Sequence, residues 1–187
     1  MNNIQPIQTE YNGYRFRSRL EARWAVFLDA LNVKYDYEPQ GFRLANGQSY
    51  LPDFKVRCHG KRGLCNPDTA FDLYIEVKGV LSDRDISKIM MFSKHCPVLV
   101  VGNLPPQGHS SDSSAVKAYE SIFFNYITID GDNFAAYPAA DADGHFYLWG
   151  DDSNYVEQCD IRRVERAYDI ARTARFEFGE TYSYPLR

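Results

Sequence analysis

The run Pro97-Val98-Leu99-Val100-Val101-Gly102 constrains the fold more than any other stretch of this chain. An unbroken β-prone apolar run leaves neither side of a strand polar, so the strand has to be covered on both faces. Upstream, Phe71 to Val77 is a second β-prone run. Between the two, Ser82-Asp83-Arg84-Asp85 reads as a helix start, an N-cap followed by acids in the first turn. Ile86, Ile89, Met90 and Phe92 give that helix an apolar face. Strand, helix, strand in this order predicts a right-handed crossover, and hence an α/β fold with a mixed central sheet flanked by helices.

The preceding elements are legible by the same rules. Tyr14-Arg15-Phe16-Arg17 is a short strand or extended lead-in after a polar arm, residues 1–13, that ends in the turn pair Asn12-Gly13. Ser18 is a helix N-cap, with Glu21 three residues on as its capping-box partner. Leu20, Trp24, Phe27, Leu28 and Leu31 recur at helical spacing, so a helix of about four turns ends near Asn32. Glu21 lies at the edge of its buried face. Val33 to Glu38 alternates as a strand and stops at Pro39. Phe42-Arg43-Leu44 and Ser49 to Val56 flank Ala45-Asn46-Gly47-Gln48, a hairpin signal that puts Asp53 in the second strand. Residues 57–70 read as a loop.

After Gly102 the pattern weakens. Residues 103–114 are loop-like, Ala115 to Phe124 predicts a short helix, and Tyr126 to Ile129 a short strand. Phe134 to Tyr137 and His145 to Trp149 flank Asp141-Ala142-Asp143-Gly144, a second hairpin. A helix over roughly 159–178 carries Ile161, Val164, Ala167, Tyr168, Ala171 and Ala174 on one face, with Gly179 as a stop. No internal repeat and no linker divides the chain, so 1–187 is expected to be one domain.

Composition narrows the function. With 187 residues, 44% hydrophobic and 15% aromatic, the chain can bury a core and is not a disordered segment. No apolar run approaches the roughly 18 residues that suggest a membrane span, and the start, Met1-Asn2-Asn3-Ile4-Gln5-Pro6, has no signal-peptide pattern. A cytoplasmic protein is expected, with no membrane partner. Cys58, Cys65, Cys96 and Cys159 are too irregular for a disulfide framework. Cys58-His59 with Cys65 offers zinc-ligand types but no C-x-x-C pair, so reduced thiols beside a loop are expected. His59, His95, His109 and His145 are scattered. The net charge of −4 excludes a globally basic nucleic-acid binder, but Arg15, Arg17, Arg19 and Arg23 cluster near the start while acids concentrate after Asp130. Such a cluster suits phosphate contacts, which position a nucleic acid without reading its sequence.

The chemistry converges on two stretches, Tyr50-Leu51-Pro52-Asp53-Phe54 and Leu73-Tyr74-Ile75-Glu76-Val77-Lys78-Gly79. Glu76 and Lys78 share a strand face, because side chains alternate. Asp53 lies on a strand expected to pair with theirs, and Glu21 approaches if the first helix packs across the sheet. Carboxylates of this kind hold Mg²⁺ beside a phosphodiester, and a neighbouring Lys positions or deprotonates water and stabilises developing charge.

A helix bearing Glu21, then Pro52-Asp53, then Glu76-Val77-Lys78, resembles the PD-(D/E)XK nuclease superfamily. The fuller strings Phe16-Arg17-Ser18-Arg19-Leu20-Glu21, Tyr50 to Phe54 and Ile75 to Gly79 are similar to its small phage- and transposon-type endonucleases. The resemblance covers roughly residues 14–102. It implies a restriction-endonuclease-like core of a helix, a three-stranded antiparallel meander, a crossover helix and a further strand, with residues 103–187 an extension packed on it. It implies that Asp53, Glu76 and the Val77 carbonyl bind Mg²⁺ (Mn²⁺ substituting), that Lys78 serves the attacking water, and that Glu21 completes or tunes the site. The expected activity is Mg²⁺-dependent endonucleolytic cleavage of DNA, in a bacterial cytoplasm if the chain is phage-encoded. A homodimer would supply the second site for a double-strand break. Two further readings stand beside it: a nucleic-acid- or partner-binding module with weak or absent catalysis on a nuclease scaffold, and a nuclease acting on branched DNA or RNA.

Overall fold

The computed structural model describes residues 7–59, 70–105, 126–129, 132–149 and 161–176. Among them the fold is α/β, a mixed sheet flanked by three helices. The sheet is centred on β6 (Phe54–His59), β7 (Ala70–Val77) and β8 (Val98–Val101). β3 (Tyr35–Tyr37) pairs antiparallel with β6, β6 antiparallel with β7, and β7 parallel with β8. The parallel pair is joined through α2 (Asp83–Ser93), as the strand–helix–strand order requires. β8 is buried at every position, the burial its apolar run demands.

Alternation along β7 divides the core in two. Leu73, Ile75 and Val77 point to one face, where they pack with Phe54, Val56 and the apolar stripe of α1 (Arg19–Ala30). Tyr74 points to the other, where it meets Ile89 and Phe92 of α2 and Tyr50. Each fully buried side chain of this size contributes roughly 1.5–3 kcal/mol. The same alternation sends Glu76 to the α2 side. α1 is fixed over the sheet by Trp24, whose indole N–H donates to the Gly102 carbonyl at 2.8 Å, just past β8. α3 (Ile161–Thr173) lies on α1, with Tyr168 stacked on Phe27 at 4.4 Å.

The structure departs from the sequence reading at instructive places. Thr9–Tyr11, inside the expected polar arm, is a strand, β1, paired with β2 (Tyr14–Phe16) around Asn12 (φ 48°) and Gly13 (φ 80°). Two consecutive positive φ angles make the tight hairpin that Asn-Gly favours. Ser49 to Val56 is not one strand. β5 (Ser49–Tyr50) pairs only with β4 (Phe42–Arg43), and the chain then breaks over Leu51-Pro52-Asp53 before β6 enters the main sheet. Pro52 has no N–H for a ladder, so pairing changes partner there. Asp53 therefore stands at the entrance of a central strand rather than inside a hairpin.

Phe134 to Tyr137 likewise straddles two strands. β10 (Asp132–Ala135) pairs with β9 (Tyr126–Ile129), whereas β11 (Tyr137–Ala140) pairs with β12 (Phe146–Trp149). β9 extends the sheet beyond β8, and β12 joins β6 in parallel at Phe146 and Cys58. The helix expected to run to 178 ends at Thr173, and residues 174–176 follow it outside the helix. The helix expected at 115–124, residues 159–160, Gly179, His109, Cys65 and Cys159 lie outside the described residues. No helix among the described residues is long and apolar enough to cross a membrane.

Candidate active site

Asp53 is placed by backbone bonds before its side chain acts. Its N–H donates to the Ile75 carbonyl at 3.1 Å and its carbonyl accepts the Glu38 N–H at 2.8 Å, so the residue is locked between β3 and β7. The carboxylate then turns to the next residues of β7, and Oδ2 accepts the Val77 N–H at 2.7 Å. Glu76 and Lys78 follow on the α2 side of the same strand. Lys78 Nζ lies 2.8 Å from Glu76 Oε1, and the Tyr50 hydroxyl donates to Glu76 Oε2 at 2.9 Å. Asp53 is 1% and Glu76 4% exposed. Charged carboxylates are almost never buried so deeply without an opposite charge at hand.

Glu21 is buried at the first turn of α1. Ser18 caps the helix, accepting the Glu21 N–H at 3.1 Å, an interaction worth about 1 kcal/mol. Among the contacts described, the expected return bond to the cap backbone gives way to others. Glu21 Oε1 accepts the Ser18 hydroxyl at 2.9 Å, while Oε2 accepts the Tyr37 hydroxyl at 2.7 Å and the Arg17 N–H at 3.1 Å. Glu21 thus stands behind Asp53 and acts on it through its charge.

The electrostatics record the crowding. Burial pushes the Asp53 carboxyl up to about 8, reinforced by the charges of Glu76 and Glu21 and opposed by Lys78 and the Val77 N–H. Burial works against the Lys78 charge, but Glu76 and Asp53 outweigh it and hold the ammonium above its ordinary value. Burial and the bond to Glu21 raise the Tyr37 phenol. Arg17 is also held charged, because Asp53, Tyr37, Glu38 and Glu21 overcome its partial burial.

Of the four arginines, Arg17 enters the site. Its Nη2 reaches Asp53 Oδ1 at 2.6 Å and its Nε reaches Glu38 Oε1 at 2.7 Å. Arg15 is exposed and lies 3.9 Å from Glu10, and Arg19 and Arg23 are half-buried along α1. An open cleft of about 280 Å³ leads to the site, lined by Arg17, Tyr50, Glu76, Lys78, Asp85 and Lys88 among others. Asp85, in the capping box of α2, lies 4.0 Å from Lys78. Asp53 does not line this cleft. Tyr37, Glu38 and Tyr50 were not singled out from sequence. Their partners are distant in the chain, and only the Tyr50 position inside the Tyr-Leu-Pro-Asp-Phe string hinted at a role.

A second polar cluster forms where β12 meets β6. The rings of His59 and His145 stand 4.5 Å apart, and Asp141, Asp143 and His145 bring ligand-type atoms within 4.8 Å of one another. Cys58 is buried beside it, its Sγ 3.8 Å from the His59 carbonyl oxygen.

No family model, no curated protein and no solved structure matches this chain.

Proposed function

We propose that the chain is a Mg²⁺-dependent endonuclease of the PD-(D/E)XK type that hydrolyses phosphodiester bonds in DNA. The observation that carries the reading is the burial of Asp53, at the entrance of β6, and of Glu76 on the adjacent β7, with Lys78 bonded to Glu76. The donor set fits a hard divalent cation, which takes oxygen ligands; burial, reinforced by the charges of Glu76 and Glu21, raises Asp53, and such a cation relieves that strain. Asp53, Glu76 and the Val77 carbonyl would hold it. When bound, Mg²⁺ supplies charge neutralisation at the phosphate and a more acidic water.

The chain's own groups supply the rest. Lys78, bonded to Glu76 and lining the cleft, positions the water or takes its proton and stabilises negative charge on the phosphate. Tyr50 fixes one oxygen of Glu76, leaving the carboxylate little freedom to rotate. Glu21 and Tyr37 brace Arg17 and shape the field at Asp53. Cleavage is tested with Mg²⁺ on duplex, single-stranded and four-way DNA and on RNA. Duplex cutting that vanishes in a folded Glu76→Ala protein is the expected result, and robust cutting by that variant, with contamination excluded, sinks the assignment. Cutting confined to branched DNA or to RNA moves the substrate class and keeps the site.

A further inference from the structure

We infer that Arg17 is a displaceable counter-cation: its guanidinium holds Asp53 until a divalent cation takes that oxygen, and Glu38 then keeps the released arm at the cleft for a nucleic-acid phosphate. The inference rests on the metal-site reading above and adds a positioning residue to it.

Asp53 has two carboxylate oxygens, and Oδ2 is engaged by the Val77 N–H. Oδ1 is the other, and Arg17 Nη2 holds it at 2.6 Å. Arg17 lines the cleft and Asp53 does not, so the guanidinium covers the aspartate on the side from which a cation approaches. Two cations on one oxygen repel, and an effective cation site here requires Arg17 to yield.

Its second partner makes yielding possible. Glu38 is the more exposed of the two acids, its side chain 30% exposed against 2% for Asp53, so Arg17 bridges an inner and an outer carboxylate. Glu38 is held in the left-handed region at φ 45°, unfavourable for a residue with a side chain, and its N–H donates to the Asp53 carbonyl. The tether is therefore built onto the backbone of the residue it serves. The Arg17 backbone is anchored separately, its N–H shared between Glu21 Oε2 and the Tyr37 hydroxyl, both at 3.1 Å. Release is thus a side-chain movement. A guanidinium keeps five donors in a planar fork, so one bonded through Nε to Glu38 still presents both terminal nitrogens to a phosphate.

The test is Mn²⁺ titration of the full chain by calorimetry, with wild type, Arg17→Ala, Arg17→Gln and Glu76→Ala. Removing the internal competitor tightens Mn²⁺ binding by roughly ten-fold, the size of one charge-assisted contact. The same variants bind uncleaved duplex DNA in Ca²⁺ more weakly than wild type, because the released arm is gone. Arg17→Gln keeps most of the stem and its polar tip without the charge, and shows the same shifts if the alanine variant does not fold. Wild type and Arg17→Gln binding Mn²⁺ equally, or the variant binding more weakly, overturns the counter-cation role and leaves the metal site standing. No Mn²⁺ bound by wild type or by either Arg17 variant overturns the metal site, and this inference with it.

Discussion

Asp53 and Asp141 each stand among several charged or titratable side chains, but their partners come from different distances along the chain. Asp141 Oδ1 accepts the N–H of Asp143 at 3.0 Å and of His145 at 2.9 Å. Its Oδ2 pairs with the His145 ring at 2.9 Å and accepts the Tyr147 hydroxyl at 3.1 Å. The bonds of its carboxylate close within its own hairpin. Burial raises its pKa, but the bonds to His145 and Tyr147 prevail and lower it. Asp53 is bonded to Arg17 and to the Val77 N–H, 36 and 24 residues away, and is raised by burial and by Glu76 and Glu21. A carboxylate satisfied by its own turn builds that turn. One buried against other carboxylates destabilises the fold locally, which marks a site kept for binding.

The largest effect separates the two in catalysis. Under the proposed nuclease function, Asp53→Ala is expected to lower the rate of DNA cleavage by on the order of a thousand-fold or more and Asp141→Ala to leave it near wild type, measured as single-turnover rates. Equal losses would erase the contrast.

Next comes stability. Gly144 sits at φ 85° in the Asp141 turn, and a Cβ there would collide with the Asn32 carbonyl at the end of α1. Neither the backbone angle nor the contact admits a side chain. Gly144→Ala is expected to cost about 2–4 kcal/mol in urea unfolding, with cleavage retained at temperatures where the variant is folded. Loss of cleavage in the folded variant would couple the turn to the site.

The smallest effect is in the pH dependence, where the two aspartates have opposite signs. Asp53 has its folded pKa raised above the unfolded one. Its contribution is fully present below the ordinary carboxylate value near 3.8 and is lost as pH rises toward about 8. Asp141 has its folded pKa depressed, so its contribution is present above 3.8 and lost as pH falls through the lower folded value. Unfolding free energies in chelator across this range should show Asp53→Asn flattening the loss toward alkaline pH and Asp141→Asn flattening the loss in acid. A wild-type alkaline limb unchanged in Asp53→Asn would remove Asp53 as its source.

Much of this architecture was written locally. The apolar run at Val98–Val101, the cap at Ser82 and the β-prone stretch before Glu76 together specify β7, α2 and β8 in their parallel arrangement. The stripe from Leu20 to Leu31 specifies α1. The Glu76–Lys78 contact follows from strand alternation alone. Each of these rules acts over a few residues and reads only the chain itself. The strand change at Pro52, the parallel docking of β12 on β6, and the roles of Tyr37, Glu38 and Tyr50 were decided by tertiary structure. Tyr37 meets Glu21 across 16 residues and Tyr50 meets Glu76 across 26. Arg17 shows the division most clearly. Its charge and its place before α1 are properties of the sequence, and they suggested a surface phosphate contact. That its guanidinium lies on Asp53 depends on β3 and β6 bringing Glu38 and Asp53 together beside the start of α1, which no local pattern encodes.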